Sequence, residues 1–163
     1  GGVKVLLCGS VDGKLGALCK RVESVSAKAG PFACVLCVGP IFSSAEAAEA
    51  ELEAYKSGAA SLPVPTYFVD GGGAPGLEHG EDREVCPNLT FLGRPGARLL
   101  HGLRVASLPG RLNAATFEGP AEARGPGEYG RPDADAVRAE AAAGGPTDVL
   151  LTSEWPPGAC GLT

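Results

Sequence analysis

The chain has 163 residues and a mass of 16.4 kDa, which fits one domain spanning residues 1–163. Hydrophobic residues make up 44% of the sequence, which excludes a wholly disordered chain despite 25 glycines and 14 prolines. The formal net charge of −5 excludes a broad basic surface, so any RNA contact must be small or lie elsewhere in the protein.

The first half of the sequence alternates between buried strands and helices. The apolar patterns predict strands at residues 3–8, 33–38 and 64–69, with helices at 15 to about 30 and 43 to about 57. Ser43 followed by Glu46 is a capping-box pattern that predicts the start of the second helix. This alternation predicts a parallel sheet whose ligands gather at the carboxyl ends of its strands, at residues 9–14, 39–44 and 70–80.

The second half is predicted to be richer in turns. Three short apolar runs separated by glycine-containing turns predict an antiparallel meander, at residues 89–92, 97–100 and 103–108. Residues 118–132 have no apolar period and are expected to form a mobile loop. A helix capped by Asp133 or Asp135 and a buried strand at 148–152 follow. The fold class expected from these elements is α/β.

The positions of the cysteines argue against disulfide bonds and a cysteine metal site, and the short apolar runs argue against a membrane-spanning helix. The six cysteines are expected to be reduced, because they lie in apolar segments rather than between turns. Cys34 and Cys37 form a CxxC pair, but residues three apart on a strand point to opposite faces, so they predict no metal site. No apolar run reaches the roughly 18 to 20 residues of a membrane-spanning helix, so no membrane partner is expected.

Two polar segments at the predicted strand ends are candidate ligand-binding sites. Gly9-Ser-Val-Asp-Gly-Lys14 lies between a strand and a helix, where backbone N–H groups can bind an anion. The segment is one residue shorter than a phosphate loop, and Leu15 replaces the Ser or Thr that binds magnesium, which weakens the match. A small phosphate- or nucleotide-binding domain is therefore an alternative and not the main prediction. His79 stands among carboxylates and is expected to be a solvated loop residue.

Segments at the predicted strand ends resemble one known family. They are LLCGSVDGK at 6–14, CVGPIF at 37–42, YFVDGGG at 67–73, LTFLGR at 89–94 and DVLLTSEWP at 148–156, with YKSG at 55–58. Over most of residues 3–157 the chain resembles the N-terminal domain of the CwfJ family, the Cwf-nineteen-like splicing proteins related to the lariat-debranching enzyme. The resemblance implies a calcineurin-like metallophosphoesterase fold, a sandwich of mixed sheets with flanking helices that is truncated at the C-terminus here.

The resemblance also implies which residues stand at the two-metal site of an active metallophosphoesterase. Ser10 and Asp12 replace the first aspartate and histidine, and Pro40 replaces the aspartate that bridges both ions. Gly71, Gly72 and Gly73 stand where an asparagine and a histidine would be, and Ser153 replaces a metal-binding histidine. Because proline has no side-chain ligand atom, the resemblance implies a noncatalytic domain without metal or cofactor.

The function implied by the resemblance is a nuclear one in post-splicing intron-lariat turnover. The expected partners are the lariat-debranching enzyme and late spliceosome components, with RNA bound weakly or through C-terminal regions outside this N-terminal fragment. Docking is expected at the carboxyl-end rim, through Asp12, Lys14, Phe42, Tyr55 and Trp155. An active metal-dependent phosphodiesterase or phosphatase is a further alternative.

Overall fold

Within the part of the chain that the structure describes, the larger sheet has five strands in the order β1-β2-β3-β5-β4. They are β1 (Val5–Cys8), β2 (Cys34–Val38), β3 (Thr66–Val69), β4 (Asp82–Cys86) and β5 (Leu89–Leu92). All neighbours are parallel except β4, which runs antiparallel to β5. The structure is a computed structural model that describes residues 2–71 and 77–155.

A smaller sheet of three strands lies in the second half of the chain, in the order β10-β7-β6. The remaining strands are β6 (Gly96–Leu100), β7 (Leu103–Leu108), β8 (Arg111–Leu112), β9 (Glu128–Tyr129) and β10 (Val149–Thr152). Strand β10 is parallel to β7, β6 is antiparallel to β7, and β8 pairs with β9. The described residues also form the α-helices α1 (Leu15–Ala29), α2 (Ala45–Lys56) and α3 (Arg131–Ala143), with a short 3-10 helix at Ala121–Ala123.

Two apolar clusters show how these elements are layered. One cluster joins α1 and α2 to one face of the large sheet through Leu15, Leu52 and Phe68. The other cluster joins the opposite face to the small sheet through Leu36, Val105 and Leu151. Helix α3 contacts β6 and β7, which places it outside the small sheet. The α/β class with mixed sheets and flanking helices is therefore confirmed, in the layer order helix, sheet, sheet, helix.

The alternation of side chains along β2 explains why its sequence is apolar without interruption. Cys34 and Leu36 pack between the two sheets, while Val35 and Cys37 pack against the helices. A strand covered on both faces needs apolar residues at every position. Cys34 and Cys37 therefore point to opposite faces, as predicted.

The predicted meander is wrong for β5. This strand pairs in parallel with β3 and belongs to the large sheet, whereas β6 and β7 form a hairpin in the small sheet. Strand β4 was not predicted, because Asp82, Arg83 and Glu84 give it no apolar alternation. An edge strand can carry such charges, since only one of its sides pairs with a neighbour.

The helices are close to their predicted bounds, with differences at the caps. Helix α2 begins after Ser44, whose hydroxyl accepts a hydrogen bond from the Ala47 N–H at 3.1 Å, so the predicted cap at Ser43 is wrong by one residue. Helix α3 begins two residues before Asp133, and the Asp133 carboxylate accepts a bond from the Gly130 N–H at 2.8 Å. Within the described ranges, no helix combines the length and apolar character needed to cross a membrane.

Candidate functional site

A groove lies where the carboxyl ends of β1 and β2 meet the end of β10. It has a volume of about 460 Å³ and is lined by Gly9, Ser10, Val38, Gly39, Leu150, Thr152, Ser153, Glu154 and Trp155. We call it the β1–β10 groove. It forms because β1 and β10 are edge strands of the two stacked sheets, so the sandwich is open along this side. Two of the predicted site residues, Ser10 and Ser153, line this groove together.

Gly71, another predicted site residue, adjoins the β1–β10 groove, and Gly39 in the groove lining lies beside Ser10. A methyl group placed on Gly39 would lie 3.5 Å from Ser10 Cβ, and one placed on Gly71 would lie 3.9 Å from Ser153 Cβ. The ends of β1, β2, β3 and β10 therefore converge, as expected for the carboxyl end of a parallel sheet. Gly72 and Gly73 lie outside the described residues.

The turn after β1 is held by the turn after β2. The Pro40 carbonyl accepts hydrogen bonds from the N–H groups of Val11 and Asp12, both at 3.0 Å, and the Ile41 carbonyl accepts one from Gly13 at 2.7 Å. Asp12 has a φ of 48° and an exposed side chain. Three of the backbone N–H groups in this turn are thus already paired with carbonyls and are not directed at an anion. This geometry speaks against the phosphate-binding alternative.

A side chain of α2 also binds the N-terminus of α1. The Leu15 N–H donates to Glu51 Oε1 at 2.8 Å, which places a carboxylate from α2 at the positive end of the α1 dipole. Burial raises the pKa of Glu51, and the hydrogen bond from Leu15 opposes that rise. A carboxyl oxygen of the protein itself therefore takes the place where an oxygen of an external phosphate would bind.

The expected docking rim is only partly present. Asp12 and Lys14 are exposed, and Trp155 is 81% exposed at the β1–β10 groove. Phe42 and Tyr55, however, are 6% and 7% exposed, so their assignment to the rim is wrong. Phe42 packs edge-on against Phe68 with ring centroids 6.4 Å apart, and the Tyr55 hydroxyl lies 3.8 Å from Cys19 Sγ.

A polar cluster beside the β1–β10 groove was not predicted from the sequence. The Gly110 N–H donates to the Asp70 carbonyl at 2.9 Å and to Ser153 Oγ at 3.3 Å, which joins the ends of β3, β7 and β10. The His79 ring packs near Phe91 with centroids 5.9 Å apart, so the expectation of a solvated histidine is wrong. Burial lowers the pKa of His79, while the Asp70 and Asp133 carboxylates oppose that shift. No local pattern signals these contacts, because they join distant segments.

The cysteines of the described residues are all free thiols. Cys34, Cys37 and Cys86 are buried, and Cys8 and Cys19 are partly exposed. Burial raises the pKa of the Cys86 thiol to about 11, so it is protonated at neutral pH. Cys160, the sixth of the cysteines expected to be reduced, lies outside the described residues.

Comparison with known proteins identifies relatives over nearly the whole chain. It is 40% identical over 170 residues to CWF19-like protein 1 homolog of Drosophila melanogaster and 32% identical over 164 residues to human CWF19-like protein 1. It is also 39% identical over 169 residues to zinc finger CCCH domain-containing protein 64 of Arabidopsis thaliana.

These alignments include 94–95% of the chain but only 27–30% of each relative's length. The chain thus spans less than a third of these relatives. A scan against protein-family models finds no match. The identities of 32–40% over nearly all of the chain show that it belongs to the CWF19-like, or CwfJ, family.

Proposed function

We propose that this chain is a noncatalytic, metallophosphoesterase-like domain that assists intron-lariat debranching through protein contacts. The CWF19-like relatives support a splicing-associated protein. The metallophosphoesterase relation is supported by the layered α/β sandwich and by the convergence of Ser10, Gly39, Gly71 and Ser153 at one end of it. The proposed partners are the lariat-debranching enzyme and late spliceosome components, and the proposed location is the nucleus.

The observation that carries the noncatalytic assignment is the environment of Pro40. A two-metal centre needs an oxygen shared by both ions, and the Pro40 side chain has none. Its carbonyl oxygen already accepts bonds from Val11 and Asp12. Ser10 and Ser153 offer only neutral hydroxyls in place of a carboxylate and an imidazole. This donor set does not fit a two-metal centre.

Calorimetric titration with manganese tests this assignment. The protein should show no tight binding of two ions, whereas a catalytically active metallophosphoesterase titrated in parallel should bind two. Hydrolysis of a phosphodiester substrate in the presence of manganese should remain at the background rate. Tight binding of two ions with metal-dependent hydrolysis would instead establish the active phosphodiesterase alternative.

Docking through the β1–β10 groove is supported by its exposed apolar side chains. Trp155 is 81% exposed and Leu150 is 60% exposed, and both line the groove. Exposed aromatic side chains commonly provide the anchors of protein interfaces. Val38 of β2 and Leu150 of β10 line the groove, so strands of both sheets contribute to its walls.

A quantitative pull-down with the full-length protein tests the docking surface. Trp155→Ala should weaken retention of the debranching enzyme or spliceosome components by more than about 1 kcal/mol, or roughly fivefold, with an unchanged Tm. The matched control is Leu99→Ala, because Leu99 is also a large apolar side chain, 72% exposed on β6 and absent from the groove lining. Unchanged retention with a large loss of stability would show that Trp155 supports the fold instead.

A further inference from the structure

Helix α1 carries a line of three cations on its outer surface. Lys14 at the N-cap, Arg21 and Lys28 are seven residues apart, and all three are exposed. Seven residues are close to two helical turns, so the three side chains align at intervals of about 10 Å. We call Lys14, Arg21 and Lys28 the basic stripe. A fourth cation adjoins its end, because Lys4 Nζ donates to the Ala29 carbonyl at 3.0 Å.

The basic stripe lies on the side of α1 that faces away from α2. Cys19 marks the side toward α2, since its Sγ lies 3.8 Å from the Tyr55 hydroxyl. At about 100° per residue, Arg21 is roughly 160° from Cys19 around the helix. Glu23 is the acidic residue of α1, and it is also roughly 160° from Arg21. The stripe is therefore not neutralised by its own helix.

The cations of the stripe also differ from the arginines elsewhere in the protein. Among the described residues, no ion pair includes Lys14, Arg21 or Lys28. Ion pairs in the second half of the chain instead join Arg94 to Glu140, Arg98 to Asp82, Arg124 to Asp133, Arg131 to Glu118 and Arg138 to Asp135. Residues 1–30 hold five basic and two acidic side chains, against nine and seventeen in the rest. The negative net charge thus conceals a local excess of positive charge.

We infer that the basic stripe binds the phosphate backbone of an RNA strand. A phosphate backbone is recognised by regularly placed cations and needs no apolar anchor. The residues beside the stripe, Ala17 and Ser24, are small and exposed, so a backbone can approach the helix closely. A membrane-surface helix would instead expose large apolar residues there, and a protein interface would offer aromatic anchors. The choice of RNA over DNA rests on the proposed splicing function.

Fluorescence anisotropy with labelled single-stranded oligouridine over a salt series tests this inference. The variant combines Lys14→Gln, Arg21→Gln and Lys28→Gln, and glutamine preserves helix propensity at each exposed site. Losing three phosphate contacts should reduce the slope of log K against log salt by about 2, with a loss of affinity of at least about tenfold at low salt. The matched control combines Lys56→Gln, Arg111→Gln and Arg138→Gln, which changes the net charge equally elsewhere on the surface.

Each arm of the experiment has a decisive outcome. Loss of binding in the stripe variant but not in the control, with circular dichroism unchanged, supports the inference. Equal losses in both variants, or none in either, would overturn it. Equally tight, stripe-dependent binding of polyglutamate would reassign the surface to an acidic protein, and preference for oligodeoxyuridine would reassign it to DNA. Trp155→Ala should leave RNA binding intact, so failure here is distinguishable from failure of the docking groove.

Discussion

Gly110 is the most constrained residue beside the β1–β10 groove. Its φ is +98°, and a methyl group there would lie 2.5 Å from the Gly127 carbonyl oxygen and 2.6 Å from the His79 ring. Gly110→Ala should therefore reduce the free energy of unfolding by about 2 to 4 kcal/mol, measured by urea denaturation. Gly58 provides the control, because it has a φ of +81° but open space around it. Gly58→Ala should cost about 1 kcal/mol, and equal losses would mean that crowding at Gly110 is unimportant.

His79 should make the fold sensitive to mild acid. Its pKa is lowered from the ordinary value of 6.5 by burial, so the unfolded chain binds a proton more readily than the folded protein. The contribution of His79 to the free energy of unfolding should consequently be complete above about pH 6.5. It should decrease as the pH falls below that value, because the unfolded chain then takes up the proton first.

Urea unfolding at about pH 7.5 and about pH 5.5 measures this dependence. His79→Gln should show a smaller loss of stability between the two pH values than the unsubstituted protein. His101→Gln is the control, because His101 is the other histidine and its side chain is exposed. The assignment fails if the dependence survives in His79→Gln and disappears in His101→Gln.

The start of α2 shows how a one-residue ambiguity is resolved by backbone geometry. Ser43 and Ser44 both precede the helix, but Ser44 has the extended backbone of an N-cap and accepts the bond from Ala47. Ser44→Ala should lower the free energy of unfolding by about 1 kcal/mol, whereas Ser43→Ala should change it by less than about 0.5 kcal/mol. Thermal or urea denaturation of the pair measures the difference, and the reverse order would return the cap to Ser43.

Elements with a complete apolar pattern were predictable, and those held by polar contacts were not. The periodicity predicts β1, α1, β2, α2 and β3, because each buries side chains on the faces that its period defines. Strand β5 has an equally clear apolar run, but its partner β3 lies more than twenty residues earlier, and no local pattern encodes that pairing.

The segment at 118–132 illustrates the second limit. Its lack of an apolar period predicts a mobile loop, yet Glu128 accepts hydrogen bonds from Asn113 Nδ2 at 2.9 Å, Thr116 Oγ1 at 2.8 Å and the Gly125 N–H at 2.9 Å. These bonds lower the pKa of Glu128, with the Asn113 contact contributing most. Such a network is specified by three-dimensional position, so a hydrophobicity pattern cannot show it.

The two open sides of the sandwich differ in how far their edge strands are protected from pairing with another chain. The exposed edge of the large sheet at β4 carries the charges of Asp82, Arg83 and Glu84, which discourage pairing with another chain. At the other side, Leu7 on β1 is 72% exposed and Leu150 on β10 is 60% exposed. The edge strand β6, which lies on the β4 side, exposes one leucine, Leu99, whereas β1 and β10 each expose one on the same side. The side with two adjoining exposed leucines is thus the one suited to association.

Self-association of this chain should therefore depend on Leu150. Sedimentation velocity over increasing protein concentration should show association of the unsubstituted chain, because exposed edge strands with apolar side chains pair readily. Leu150→Lys should suppress that association, and Leu99→Lys on β6 should not. Equal behaviour of the two variants would show that the β1–β10 side is not the one that associates.

The sequence could predict where the candidate site lies, but it could not predict which side chains are exposed there. The strand ends identify where Ser10, Gly71 and Ser153 converge, since carboxyl ends of parallel strands meet at one edge. Residue type alone placed Phe42 and Tyr55 on the rim, although both lie in the cluster beneath α1 and α2. The charge segregation on α1 was hidden by the net charge of the chain, which averages over opposite faces.

Because Trp155 is exposed, its fluorescence emission can report on binding to the β1–β10 groove. Trp155 is the sole tryptophan in the sequence, and its indole is 81% exposed in the folded state. Its emission should already resemble that of an indole in water, so unfolding should change the emission wavelength little. An occupant of the β1–β10 groove would remove water from the ring and shift the emission to shorter wavelength. Intrinsic fluorescence should therefore be nearly silent to denaturation and directly responsive to docking.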